Sequence, residues 1–102
     1  MKLLYITTKD KEEAKKIAKE LVKKKLIACA NIHEIDSIYE WKGNIEDGKE
    51  VVLLAKTTDD LVYEAMEKVK KMHSYECPCI LILPVETANK EYVEWVTSVT
   101  KN

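Results

Sequence analysis

A chain of 102 residues holds one domain with one core, and its formal net charge of −1 gives it no field for holding a polyanion or an acidic membrane surface. All 17 basic residues are lysine. Without arginine's bidentate fork, or a basic stripe interleaved with aromatics, nucleic-acid recognition is disfavoured.

Leu3 to Thr7 is a short apolar run that reads as a strand. Asp10 follows as a helix N-cap with Glu13 three residues on, the pattern of a capping box. Ala14, Ile17, Ala18, Leu21 and Val22 recur at helical spacing, so the first helix is expected to run to about Lys25. Leu26 to Trp41 reads as a long second strand. Ala28, Ala30 and Ile32 share one phase and Ile35, Tyr39 and Trp41 the other, so the shift near His33-Glu34 suggests a bulge or a strand covered on both faces. Lys42 to Gly48 is read as the turn region, and Val51 to Lys56 as a third, buried strand.

Thr58-Asp59-Asp60 is the next helix-start signal. Leu61, Val62, Ala65, Met66, Val69 and Met72 then define a helix ending near His73. Pro78 prevents its continuation. Cys79 to Val85 is the fourth strand, at the sheet edge where Pro78 is tolerated. Asn89 caps a last helix carrying Tyr92, Trp95, Val96 and Val99.

The order is βαββαβ plus a terminal helix, which predicts an α+β, ferredoxin-like sandwich in a single domain, 1–102, with helices on one face of an antiparallel sheet. The second and third strands outrun their own sheet as an extended β-hairpin. A long unpaired apolar edge invites pairing between subunits, so a homo-oligomer is expected; a monomer with the hairpin folded over its open face is the alternative.

The ordered motifs Ala28-Cys29-Ala30-Asn31, Ser37 to Gly43, Leu54-Ala55-Lys56-Thr57, His73 to Pro78, Leu83-Pro84-Val85 and Tyr92 to Trp95 resemble the CutA family of divalent-cation tolerance proteins over essentially the whole chain. The resemblance implies a trimeric, PII-like architecture with hairpins paired between subunits. It also implies a cytoplasmic protein linked to tolerance of copper and other divalent metal ions, and no established catalytic activity. Departures stand at Ser74, where the family usually has proline, at Cys77 and Cys79, where small apolar or acidic residues are commoner, and at Ala88, where glycine is frequent.

Three cysteines are an odd number, and the N-terminus runs into Lys2-Leu3-Leu4-Tyr5-Ile6 without a secretory h-region. No apolar run approaches the ~20 residues of a membrane span. Free thiols in a reducing cytoplasm are therefore expected. Abundant Lys and Glu with no glutamine resemble a thermophile's composition.

His73-Ser74-Tyr75-Glu76-Cys77-Pro78-Cys79 concentrates the chemistry. On an extended backbone Cys77 and Cys79 point to one side, about 6.6 Å apart. With His73, and Glu76 or a second subunit, they could hold copper or zinc; packing at the start of the fourth strand is the other reading. Cys29 is a candidate thiolate ligand or a small buried hydrophobe. His73 is a ligand or a helix C-cap. His33 is expected to be exposed. A second constellation, Tyr39, Trp41, Lys56 and Tyr75, could wall a cleft in which Lys56 holds an anion, or could be interface packing with a snorkelling lysine. No nucleophile elbow, zinc-protease helix or phosphate-cradling loop is present, so the chain is not expected to be an enzyme. Its function classes are a metal buffer or sensor, a signalling module with a small anionic ligand, or a trimeric scaffold.

Overall fold

The structure, a computed structural model, describes residues 1–101. The elements are β1 (Lys2–Thr8), α1 (Lys11–Lys23), β2 (Cys29–Trp41), β3 (Asn44–Thr57), α2 (Val62–Met72), β4 (Ile80–Pro84) and α3 (Lys90–Ser98). One sheet has the order β2-β3-β1-β4 with all neighbours antiparallel. This is the expected α+β sandwich, with β4 on an edge, where Pro84 interrupts no central ladder.

Asp10 caps α1 by accepting the Glu13 N–H at 2.8 Å. Ala14, Ile17, Ala18 and Leu21 are buried, and Glu12 and Glu13 lie at the positive end of the helix dipole. The helix stops at Lys25, whose φ of 60° is left-handed. There the Leu26 N–H donates to the Leu21 carbonyl at 2.9 Å and the Lys25 N–H to that of Val22 at 3.0 Å, a Schellman ending built on lysine rather than glycine. Leu26 and Ile27, expected to begin β2, instead form a buried connector.

Alternation sends Leu4 and Ile6 of β1, and Val51, Leu53 and Ala55 of β3, toward α1 and α2. They meet Ile17, Leu21, Val62 and Val69, all essentially inaccessible to water. Each such side chain contributes roughly 1.5–3 kcal/mol by leaving water. The opposite face carries Leu3, Tyr5 and Leu54, and it leaves Leu81 50% and Leu83 38% exposed. This apolar face of the edge strand is left uncovered within the subunit.

Three expectations are corrected. No bulge lies near His33: β2 and β3 pair without interruption from Cys29↔Lys56 to Trp41↔Asn44. The phase shift arises because Ala30 and Ile32 face the helices, while Ile35, Tyr39 and Trp41 lie on the other face, where the strand has left its own core. The turn is not Lys42 to Gly48. It is Lys42-Gly43 alone, with φ of 51° and 83°, and β3 resumes at Asn44. Paired positive φ values match the twist of the strands they join. Finally, α2 has no side-chain cap; Asp59 instead pairs with the Met1 ammonium at 2.9 Å.

β1 covers β3 only from Val51 to Thr57. The stretch from Ile35 to Trp41, paired with Asn44 to Glu50, has no third strand beside it. The hairpin therefore does outrun its sheet.

Candidate functional site

The connector between α2 and β4 is fastened at several points before it reaches the thiols. His73 ends α2, its N–H donating to the Val69 carbonyl at 2.9 Å. Its Nε2 lies 2.7 Å from the Thr7 carbonyl oxygen, which can only accept, so Nε2 carries the proton. Nδ1 then accepts the Tyr75 N–H at 3.0 Å. Both ring nitrogens are thus engaged, Nε2 tying the connector to β1 and Nδ1 bracing the connector itself. The His73 and Tyr75 rings also pack at 4.8 Å, tilted by 53°.

Glu13 fastens the next residue. Its Oε2 accepts the Ser74 N–H at 2.8 Å, and Oε1 accepts the Lys9 N–H at 3.1 Å. Burial works against its charge, but the hydrogen bonds from Ser74 and Lys9 outweigh burial and hold its carboxyl below the usual range. The carboxylate that sequence reasoning treated as a helix cap therefore also anchors the chemically rich loop.

Tyr75 then reaches across to the hairpin, its hydroxyl donating to Glu50 Oε2 at 2.7 Å. Burial, then the hydrogen bond to Glu50 and that carboxylate's charge, push the phenol well above its ordinary value. A cavity of about 540 Å³ opens beside this bond. Thr7 and Ser74 line it, Tyr39, Trp41 and Tyr75 supply aromatic surface, and Glu50, Glu76, Cys77 and Cys79 supply the polar chemistry.

The structure thus brings Tyr39, Trp41, Tyr75, Glu76, Cys77 and Cys79 together, with His73 packed against Tyr75, and separates them from Cys29 and Lys56. Lys56 is not on this cleft. It pairs with Cys29 at the opposite end of the ladder, and its ammonium donates to Asn31 Oδ1. Cys29 lies 3.1 Å from the Tyr92 hydroxyl. That hydrogen bond, with burial and the charge of Cys29, pushes the Tyr92 phenol up to about 12. His33 is exposed on β2. Among the described residues no three of His, Cys, Asp and Glu are placed to hold one metal ion. The cleft carries two carboxylates and no lysine, the wrong sign for an anion; the Lys42 ammonium sits nearby, 5.8 Å from the Trp41 ring centroid.

Sequence reasoning missed Glu50, Thr7 and Tyr92 as site residues. Glu50 carried one signal: it is the charged residue directly before the buried run Val51 to Ala55.

Residues 2–99 match the family model of the CutA1 divalent ion tolerance protein. The chain is 42% identical over 101 residues to the divalent-cation tolerance protein CutA of Pyrococcus horikoshii, covering 99% of each. It is similar to the structure of the periplasmic divalent cation tolerance protein CutA from Archaeoglobus fulgidus, at 41% identity with a TM-score of 0.95, covering 99% of this chain and 100% of that one. It is also similar to the apo form of a PII-like protein CutA from Nostoc, at 28% identity with a TM-score of 0.92, covering 99% and 98% of the two chains. Among the described residues no helix is long and apolar enough to cross a membrane.

Proposed function

The chain belongs to the CutA1 divalent ion tolerance family, and from that premise we propose that it is a homotrimer that binds copper and similar metal ions through the thiolates of Cys77 and Cys79. The observation that carries this reading is that both thiols and the Glu76 carboxylate line one cleft. Thiolate suits copper and other soft or borderline ions. His73 contributes by positioning the loop rather than by ligation, because both its nitrogens are engaged. Two sulfurs suffice for a two-coordinate Cu(I); a tetrahedral ion would need its remaining ligands from a neighbouring subunit, because among the described residues no third ligand of this subunit is placed with the thiols.

Three features support the trimer: the exposed Leu81 and Leu83, the edge position of β4, and the hairpin half that has no third strand. Three free cysteines support a reducing, cytoplasmic setting, and the Lys- and Glu-rich, glutamine-free composition supports thermostability.

Native mass spectrometry of the reduced protein, with and without Cu(I), tests the proposal. A trimer taking up copper in wild type but not in Cys77→Ser/Cys79→Ser supports it. A monomer, or uptake unchanged in the double variant, overturns it.

The second reading is a signalling module that binds a small ligand in the cleft, favoured by the walls of Tyr39, Trp41 and Tyr75. Glu50 and Glu76 select against the anion first expected there. A thermal-shift screen of nucleotides, organic acids and organic cations separates these possibilities; silence from all three classes removes the reading.

A further inference from the structure

The Cys77-Pro78-Cys79 segment differs from the rest of its connector in how it is held. Ser74 and Tyr75 are pinned through Glu13 and His73. At the other end the Cys79 carbonyl accepts the Thr7 N–H at 3.3 Å, where the chain joins the sheet. Between these anchors, Glu76, Cys77 and Pro78 make no backbone hydrogen bond to another element among the described residues. Cys77 is exposed on a bend, Cys79 is half-buried, and both are free. Both thiols open on the same cavity. Cys77 is therefore accessible and on a loosely held span, while Cys79 is anchored where the chain joins the sheet and lines the same cavity.

We propose that Cys77 and Cys79 form a thiol–disulfide exchange site, with Cys77 as the attacking thiol and Cys79 as the resolving one. Its substrates are low-molecular-weight disulfides such as oxidised glutathione. Cys77, its proton lost to water, attacks one sulfur of the disulfide. The S–S bond breaks, one glutathione leaves as thiolate and takes up a proton, and the other remains joined to Cys77. Cys79 thiolate then attacks the Cys77 sulfur and expels the second glutathione. The protein dithiol loses two electrons and two protons, and the glutathione disulfide becomes two thiols.

The spacing explains why the product is an exchangeable bond rather than a staple. Cys77 lies on a bend, outside any strand, and a bond to a cysteine only two residues on closes when the span from Glu76 to Pro78 flexes to bring the two Cβ atoms within ~3.5–4.5 Å, which leaves the product strained. Strained and exposed disulfides are the readily reduced ones. Cys29 cannot act as the resolving thiol: it lies at the far end of the β2–β3 ladder, against Tyr92. The exchange needs no metal, so it stands or falls separately from the copper reading; where both hold, oxidation removes both metal-binding sulfurs at once.

The test uses reduced, chelator-treated full-length protein incubated with oxidised glutathione, quenched by alkylation and read by intact-protein and peptide mass spectrometry. Wild type is expected to lose the mass of two hydrogens, retain no glutathione and return to the dithiol in reduced glutathione. Cys79→Ser is expected to accumulate a stable glutathione adduct on Cys77, and Cys77→Ser to react more slowly. A wild type that keeps the adduct as Cys79→Ser does, that is modified at Cys29 instead, or that does not react, overturns the proposal.

Discussion

The Tyr75 hydroxyl donates to Glu50 Oε2 at 2.7 Å, and this one bond joins the α2–β4 connector to the root of the hairpin. It closes a chain of contacts that starts on β1 and α1: Thr7 holds His73, Glu13 holds Ser74, His73 holds Tyr75, and Tyr75 holds Glu50. The thiols hang from the end of this chain.

Tyr75→Phe removes the donor and leaves the half-buried Glu50 carboxylate without it. The expected cost is about 1–2 kcal/mol in chemical denaturation, with faster amide exchange from Ser74 to Cys79. Unchanged exchange there would show that the bond does not organise the loop.

Alkaline pH is expected to destabilise the protein. The Tyr75 phenol is raised well above its ordinary value, and that of Tyr92 to about 12. An unfolded phenol ionises near ~10, so the stability these groups contribute is present below that pH and falls as pH rises beyond it. Denaturation midpoints across the alkaline range check this, and Tyr75→Phe should flatten the fall.

Acid acts through Glu13. Its carboxyl is held below the usual range, so its contribution is complete above the unfolded value of about 4.3 and is lost as pH falls through the lower folded value. Glu13→Gln should cost roughly 1–2 kcal/mol at neutral pH and weaken the acid dependence. A variant as acid-sensitive as wild type would remove Glu13 as the anchor.

The hairpin tip gives a contrasting pair. Gly43 has φ of 83° and nothing within 4 Å of where a Cβ would lie. Gly43→Ala therefore costs backbone strain without a clash, about 1–2 kcal/mol. Lys42, at φ 51°, should gain from substitution by asparagine, which tolerates this region. Equal thermal midpoints for all three proteins would contradict the turn geometry.

Leu81→Glu tests the open sheet face. The side chain is 50% exposed in the subunit, so the subunit's own stability should change by only about 0.5 kcal/mol. Light scattering is expected to show loss of the proposed trimer. A trimer that survives the charge excludes this face from the interface.

The fold was readable where periodicity was strong. Asp10 and the spacing of Ala14, Ile17 and Leu21 fixed α1, and the apolar run of β3 marked it as buried. Legibility failed where one residue type serves two purposes. Lys25 ends α1 in a conformation usually left to glycine, so no stop signal stood there. Glu46, Asp47 and Gly48 read as a turn because their strand faces solvent, and solvated strands share their composition with loops. The cleft was half legible: the cluster from His73 to Cys79 stood out, as did Tyr39 and Trp41. Lys56 was assigned to the wrong end of the ladder because cross-strand register cannot be read from a single strand. Glu50 becomes a partner of Tyr75 only once β3 is aligned with the connector.

The part of the hairpin from Ile35 to Trp41 and Asn44 to Glu50 rests on no third strand, and a free two-stranded ribbon is only marginally stable in water. Trp41 and Tyr39, two walls of the cleft, stand on that ribbon. In the proposed trimer, a newly made subunit would carry its cleft unfinished until it meets other copies. The supply of working protein should then climb more steeply than the supply of chains, so that small changes in synthesis near the assembly threshold are amplified.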